Sequence, residues 1–148
     1  MIMLRLFAFF MTVLCTWPVL AAAGDPVEVW RSPTCQCCGK WVEHLKKSGF
    51  TVTVNGATPS ILNRLKHQAG ISKDLASCHT GKVGPYVIEG HVPAADIRRL
   101  LAERPDAIGL SVPGMPVGSP GMEQGDQREP YEVLLIKKDG TTEVFAQH

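Results

Sequence analysis

Three cysteines fall within four residues, in the segment SPTCQCCGKW from Ser32 to Trp41, and a fourth, Cys78, stands alone further along the chain. Read as Cys35-x-x-Cys38, the cluster is a dithiol pair at the start of a helix, where free N–H groups and the helix dipole stabilise a thiolate. Read as Cys35-x-Cys37-Cys38, it offers three soft ligands that can hold a metal together with Cys78. The third thiol separates these readings, because a redox pair needs only two sulfurs and a third beside them invites scrambled disulfides. A structural disulfide from this turn to Cys78 is the plainer alternative in an exported chain.

Further soft donors lie elsewhere. Met115 and Met122 sit in the loop PGMPVGSPGM, whose glycines and prolines position backbone rather than bury side chains. A thioether there binds Cu(I) well, although methionine also fills gaps against a core. His79 follows Cys78 directly and His91 follows the Glu89-Gly90 turn; taken alone, each loop histidine reads as a surface residue more often than as a ligand. His44, His67 and His148 have no soft neighbour in sequence and read as surface residues. Four thiols, two thioethers and one or two imidazoles, without a carboxylate cluster, disfavour Mg, Ca and Mn and favour Cu(I). Zinc is the competitor, since four cysteines can close a tetrahedral site, but Cys78 lacks a second Cys-x-x-Cys knuckle and methionine has little reason to accompany zinc. Three thiolates crowded on one turn also suit bridging, and hence more than one Cu(I) per chain.

The elements that must carry these residues alternate in period. Val27 to Arg31 alternates apolar and polar residues and predicts a strand that ends at the cysteine turn. Trp41, Val42 and Leu45 share one face of a helix from about Cys38 to Lys47, which Gly49 ends. Thr51 to Val54 predicts a second strand. Thr58-Pro59 then supplies an N-cap and a first-turn proline for a helix through Ile61, Leu62, Leu65 and Lys66. Strand, helix, strand with short connections predicts a parallel crossover. Ile71 to Gly84 has no clear period and reads as loop with one helical turn at most. Tyr86 to Glu89 predicts a third strand, preceded by Gly84-Pro85, and Pro93 or Ala94 to Glu103 a helix with Ile97, Leu100 and Leu101 inward. Ser111 to Pro130 carries four glycines and four prolines, so it is not regular structure. Because Tyr131 to Ile136 and Thr142 to Phe145 follow it as a closing β-hairpin, both of its ends are tied to the fold, and a shaped loop is expected rather than a linker.

Composition narrows the function classes. With 148 residues the chain suffices for one compact domain, expected over 24–148. Its 15 Lys+Arg against 14 Asp+Glu are scattered rather than clustered, so no footprint for nucleic acid is present. Arg5, the apolar run from Leu6 to Leu20 and the small residues Ala21 to Ala23 predict a secretory signal peptide over 1–23, cleaved after Ala23 or one or two residues earlier. The run falls short of the ~20 residues a membrane-spanning helix needs, which argues against a retained anchor. Cys15 leaves with that segment. Its neighbour Leu14 is too large for a lipoprotein attachment site. A periplasmic, non-embedded mature protein is expected.

One combination of motifs is specific. The turn Cys35-Gln36-Cys37-Cys38 followed by Trp41, then Ser77-Cys78-His79-Thr80, Glu89-Gly90-His91-Val92-Pro93, and Pro113-Gly114-Met115-Pro116 running to Gly121-Met122, resembles the CopG-type periplasmic copper-resistance family, which is distinct from the DNA-binding repressors of that name. The resemblance extends over nearly the whole chain beyond residue 23. It implies an α/β, thioredoxin-like mixed sheet flanked by helices, copper bound through the cysteine-rich turn, and work beside copper export or chaperone proteins. It also implies copper that changes oxidation state, as in a copper oxidoreductase. Carried over by position, Cys35, Cys37, Cys38 and Cys78 are the thiolates, with His91, Met115 and Met122 as further ligands and His79 after them. The competing function, a thiol-disulfide oxidoreductase using Cys35 and Cys38, leaves Cys37, Met115 and Met122 without a role. A disulfide-stapled interaction domain explains the export signal alone.

Overall fold

The computed structural model describes residues 25–148; the expected signal peptide, with Cys15, lies outside them. Seven strands form one mixed sheet: β1 (Pro26–Arg31), β2 (Thr51–Gly56), β3 (Thr80–Val83), β4 (Tyr86–Glu89), β5 (Ala107–Ser111), β6 (Glu132–Lys137) and β7 (Thr142–Gln147). Their order across the sheet is β2-β1-β3-β4-β5-β6-β7. Three α-helices accompany them, α1 (Gln36–Lys47), α2 (Pro59–Gln68) and α3 (Ala94–Glu103), with one 3-10 turn at Lys73–Leu75. β1 and β2 run parallel across α1, as the short connections require, while β3 pairs antiparallel with both β1 and β4. The unit β2-β1-β3-β4 with its helices is the expected thioredoxin-like core, and β5, β6 and β7 extend it by one parallel and two antiparallel pairings.

Alternation along the strands divides the apolar residues between two faces. On one face, Val133 and Leu135 of β6 join Val27, Val29 and Ile88 against Trp41, Val42 and Leu45 of α1 and Ile97 and Leu100 of α3. On the other, Ile136, Leu134, Val87 and Ile108 pack with Ile71 and Leu75. Trp41 and Leu45 are fully buried, each contributing on the order of 2–3 kcal/mol by removal from water. The Trp41 indole N–H donates to the Val92 carbonyl at 2.9 Å, which pins α1 to the turn leading into α3.

Two strands differ from expectation. Thr80–Val83, expected as loop, is β3 at the centre of the thioredoxin-like unit. It is four residues long, and Gly81 and Lys82 interrupt its apolar pattern. Gly81 lies beneath Trp41, where a Cβ would come within 3.4 Å of the indole ring. Ala107–Ser111 is β5, also without a strand signal in sequence, because Gly109 sits at a register shift and packs directly on the Val87 backbone. The peptide bond before Pro85 is trans. Among the described residues no helix is long and apolar enough to cross a membrane.

The segment between β5 and β6 is a shaped loop, as expected. The Gly118 N–H donates to the Met122 carbonyl, Met122 N–H to Ser119, and Glu129 N–H to Val117. The Glu129 carboxylate in turn accepts the Val117 N–H at 2.8 Å. At Gly121 the loop touches α1: φ is +89°, and a Cβ there would lie 2.7 Å from the Trp41 nitrogen and 2.8 Å from the Cys37 oxygen. Only glycine permits both that conformation and that approach.

Candidate metal centre

Helix α1 begins at Gln36, two residues earlier than its apolar periodicity indicates, so the cysteine turn is the first turn of the helix itself. Cys35 is the N-cap, and its Sγ accepts the Cys38 N–H at 3.3 Å. One guanidinium nitrogen of Arg31 holds the preceding loop from outside, donating to the carbonyls of Ser32 (3.0 Å) and Cys35 (3.2 Å). Cys35 and Cys38 form a disulfide, while Cys37 and Cys78 are free thiols. The plainer alternative, a disulfide to Cys78, is therefore not the one present. Cys37 Sγ lies 3.5 Å from Cys35 Sγ, and Cys78 Sγ lies 3.4 Å from Cys38 Sγ. All four sulfurs fall within 4.8 Å of one another.

Cys78 also belongs to a second group. His91 Nε2 lies 3.2 Å from its sulfur and His79 Nδ1 3.3 Å from it. Both imidazoles are fully buried, edge to face with centroids 4.9 Å apart, and His79 packs against Trp41. Neither is the surface residue its position alone suggested. His91 Nδ1 lies 2.8 Å from the Pro120 carbonyl, which fixes the proton on Nδ1 and leaves the Nε2 lone pair toward Cys78. The methionine loop thus sets the tautomer of a residue in the cluster. Burial pushes His79 well below the ordinary histidine range, helped by His91 and Lys66, and burial also lowers His91. Both rings are neutral at pH 7. His79 Nε2 is a buried polar atom without a hydrogen-bond partner. Four sulfurs and two neutral imidazoles fit a soft metal ion once the disulfide is reduced.

Burial, seconded by the neighbouring Cys37, pushes the Cys78 thiol up to about 11. At pH 8 its thiolate fraction is then ~100-fold below that of an unperturbed thiol. The difference in ultraviolet thiolate absorbance between the wild type and Cys78→Ser, recorded on the disulfide form, should stay flat from about pH 7 to 9.5 and rise only beyond. A step centred near ~8.5 would show that the thiol is not desolvated.

The two methionines are not equivalent. Met122 lines a cleft of about 240 Å³ with Gln36, Cys37 and Lys40, beside the exposed side of the sulfur cluster. Met115 is 50% exposed and follows Gly114, whose carbonyl accepts the Ser77 hydroxyl at 2.5 Å next to Cys78.

Several supporting residues escaped the sequence reading. Glu89, fully buried at the end of β4, accepts from Lys66 Nζ (2.5 Å), the Thr80 hydroxyl (2.8 Å) and the Ser77 N–H (2.7 Å). This network joins α2, β3 and β4 to the residue before Cys78. Lys66 lies one turn after Leu62 on α2 and is buried with it, a sign that its charge has a partner. His44 is half-buried rather than a surface residue: its Nε2 accepts the Ala94 N–H at 3.1 Å and so caps α3. His148 lies 2.8 Å from Asp96 and stacks on Tyr131, whereas His67 is exposed as expected.

Residues 75–122, which include Cys78, both buried histidines and both methionines, match a family described as protein of unknown function, DUF411. No curated protein gives a significant match. Two solved structures do, described as copper resistance protein copG, form 1 and form 2. Each is 42% identical, with a TM-score of 0.79, over 84% of this chain and 98% of theirs. At that identity and over that share of both chains, the protein belongs to the copG family of copper resistance proteins.

Proposed function

We propose that this is a periplasmic copper-binding protein of copper resistance, which holds Cu(I) through Cys35, Cys37, Cys38 and Cys78, with His91, His79 and the methionine loop completing the site. The observation that carries this reading is that Cys78 belongs at once to a group of four sulfurs and to a group of one sulfur and two imidazoles. Two overlapping donor groups suit more than one ion, with bridging thiolate. Copper is the cargo, received from and passed to export or chaperone proteins, and residues 1–23 direct the chain to the periplasm before removal. All four thiolates are available only after two electrons and two protons have reduced the Cys35–Cys38 disulfide.

The test is an anaerobic Cu(I) titration of the reduced protein against a competing chelator. Retention of two or more ions per chain is expected. Retention of one would remove the multinuclear site, and loss of all copper to the chelator would remove the copper reading. In that last case the disulfide at the N-terminus of α1 favours the second reading, a thiol-disulfide oxidoreductase using Cys35 and Cys38.

The cleft geometry ranks the methionines. Met122→Ala should weaken Cu(I) binding by about tenfold, and Met115→Ala by less, with unfolding midpoints unchanged for both. Equal titrations for the Met115→Ala, Met122→Ala double variant and the wild type would return both residues to a packing role.

A further inference from the structure

Strand β2 ends the sheet: it pairs with β1 on one side and with no strand on the other. In that parallel ladder the Ala57 N–H donates to the Arg31 carbonyl at 2.9 Å. Backbone groups alternate along a strand, so Thr51, Thr53 and Asn55 also turn their N–H and C=O toward β1. Val52, Val54 and Gly56 turn theirs outward, and among the described residues no side chain or loop bonds to them. Sheet edges are ordinarily blunted by charge, proline, a bulge or a covering element. β7, the opposite edge, has three of these: Glu143 is paired with Lys137, the pairing with β6 is irregular at Val133 and Leu134, and Arg99 of α3 lies on the Phe145 ring and donates to its carbonyl. β2 has none. No charge lies from Ser48 to Asn63, the strand has no proline, its register on β1 is unbroken, and Val54 is 40% exposed.

We propose that the edge of β2 is the interface of a two-fold homodimer, formed by antiparallel pairing with β2 of a second copy. The strand complements itself in one register, with Thr53 facing Thr53 of the copy on the axis. Val52 then faces Val54 of the copy on either side of it. These are the residues whose N–H and C=O point outward, so each such pair exchanges two hydrogen bonds. Both valines lie on the α1 face, where Val52 already packs on the core, while Thr53 and the pair of Thr51 with Asn55 fall on the other. A shift of two residues in either direction leaves a single valine pair. A charged strand from another protein would find no counter-charge along this edge, whereas a copy is matched to it and brings no like charge across the axis. Pairing also closes, because the joined sheet ends in the blunted β7 on both sides. β1 and β2 both run toward the cysteine turn, so antiparallel copies hold their clusters at opposite ends of the sheet and leave both uncovered. The proposal does not depend on copper binding.

The metal-free wild type, with its disulfide intact, should sediment at equilibrium between one and two chain masses, with a Kd on the order of 10–100 µM for so small an interface. Val54→Lys sets an ammonium against Val52 of the copy and should weaken association by about tenfold or more. Its unfolding midpoint should stay unchanged, since Val54 is exposed. Amide exchange locates the contact without any variant: the Val52 and Val54 N–H groups should exchange more slowly above the Kd than below it, and the outward amides of β7 should not. A wild type that remains monomeric about tenfold above that range overturns the proposal and leaves the edge to a strand of another protein. A dimer that Val54→Lys leaves intact, or one that protects β7 in place of β2, overturns it as well. Because metal is excluded, failure here leaves the copper titration unaffected, and the reverse also holds.

Discussion

Lys66→Met should destabilise the protein by about 3–5 kcal/mol, since it strips the ammonium from a carboxylate that is fully buried. Burial holds the Glu89 carboxyl above its ordinary 4.5, against the pull of Lys66, the Ser77 N–H and the Thr80 hydroxyl. Removing Lys66 leaves the upward push with less to oppose it. A carboxyl whose folded value exceeds its unfolded one favours the fold only while protonated. The deficit of the variant should therefore be smallest below about pH 4.5 and should grow as the pH rises through the raised folded value toward neutrality. The double variant Lys66→Met, Glu89→Gln has no charge to strand and retains an acceptor for Ser77 and Thr80, so it should recover more than half of the loss. Urea unfolding of the single and double variants at two pH values checks both statements. Deficits that are equal for the two variants, or independent of pH, would show that the pair is not coupled.

The largest effect on metal binding is expected from Cys78→Ser. Each other thiol serves one donor group, whereas Cys78 serves both, so its removal opens the two together. A loss of Cu(I) affinity on the order of a hundredfold or more, ~3 kcal/mol, is expected, together with a lower stoichiometry. Cys37→Ser should lose affinity too, but it leaves the Cys78, His79 and His91 group whole. The same competitive titration that tests the copper reading measures both variants. A Cys78→Ser protein that retains wild-type stoichiometry would show that the two donor groups are not joined through this sulfur.

What the sequence made legible follows from the range of the interactions involved. Helix α1 is readable because Trp41, Val42 and Leu45 carry their own period, and the α2 start because Thr58 and Pro59 are local signals. The cysteine turn, Cys78, His79 and His91 are readable as chemical types, and their convergence depends on the placement of β1, β3 and β4 side by side. β3 and β5 were hidden because what makes them strands is pairing on both sides, and their glycines answer to Trp41 and Val87 rather than to near neighbours. The burial of Lys66 depends on Glu89, 23 residues away, and the burial of His44 depends on an unpaired N–H of α3, 50 residues away. Neither distance leaves a trace in periodicity. The methionine loop was legible as shaped, but not its grip on His91, which passes through a backbone carbonyl of Pro120.

The spacing of the sulfurs also sets an order of events as the chain folds. Cys35 and Cys38 are three residues apart, whereas Cys38 and Cys78 are separated by forty. The closure entropy of the longer loop is greater by roughly (3/2)RT ln(40/3), about 2 kcal/mol. The short ring can therefore close while the chain is still unstructured. Cys78 reaches its neighbours only when β3 docks against β1. An oxidising compartment thus meets the local cysteine triplet first, and the fourth sulfur arrives afterwards, carried in by the sheet.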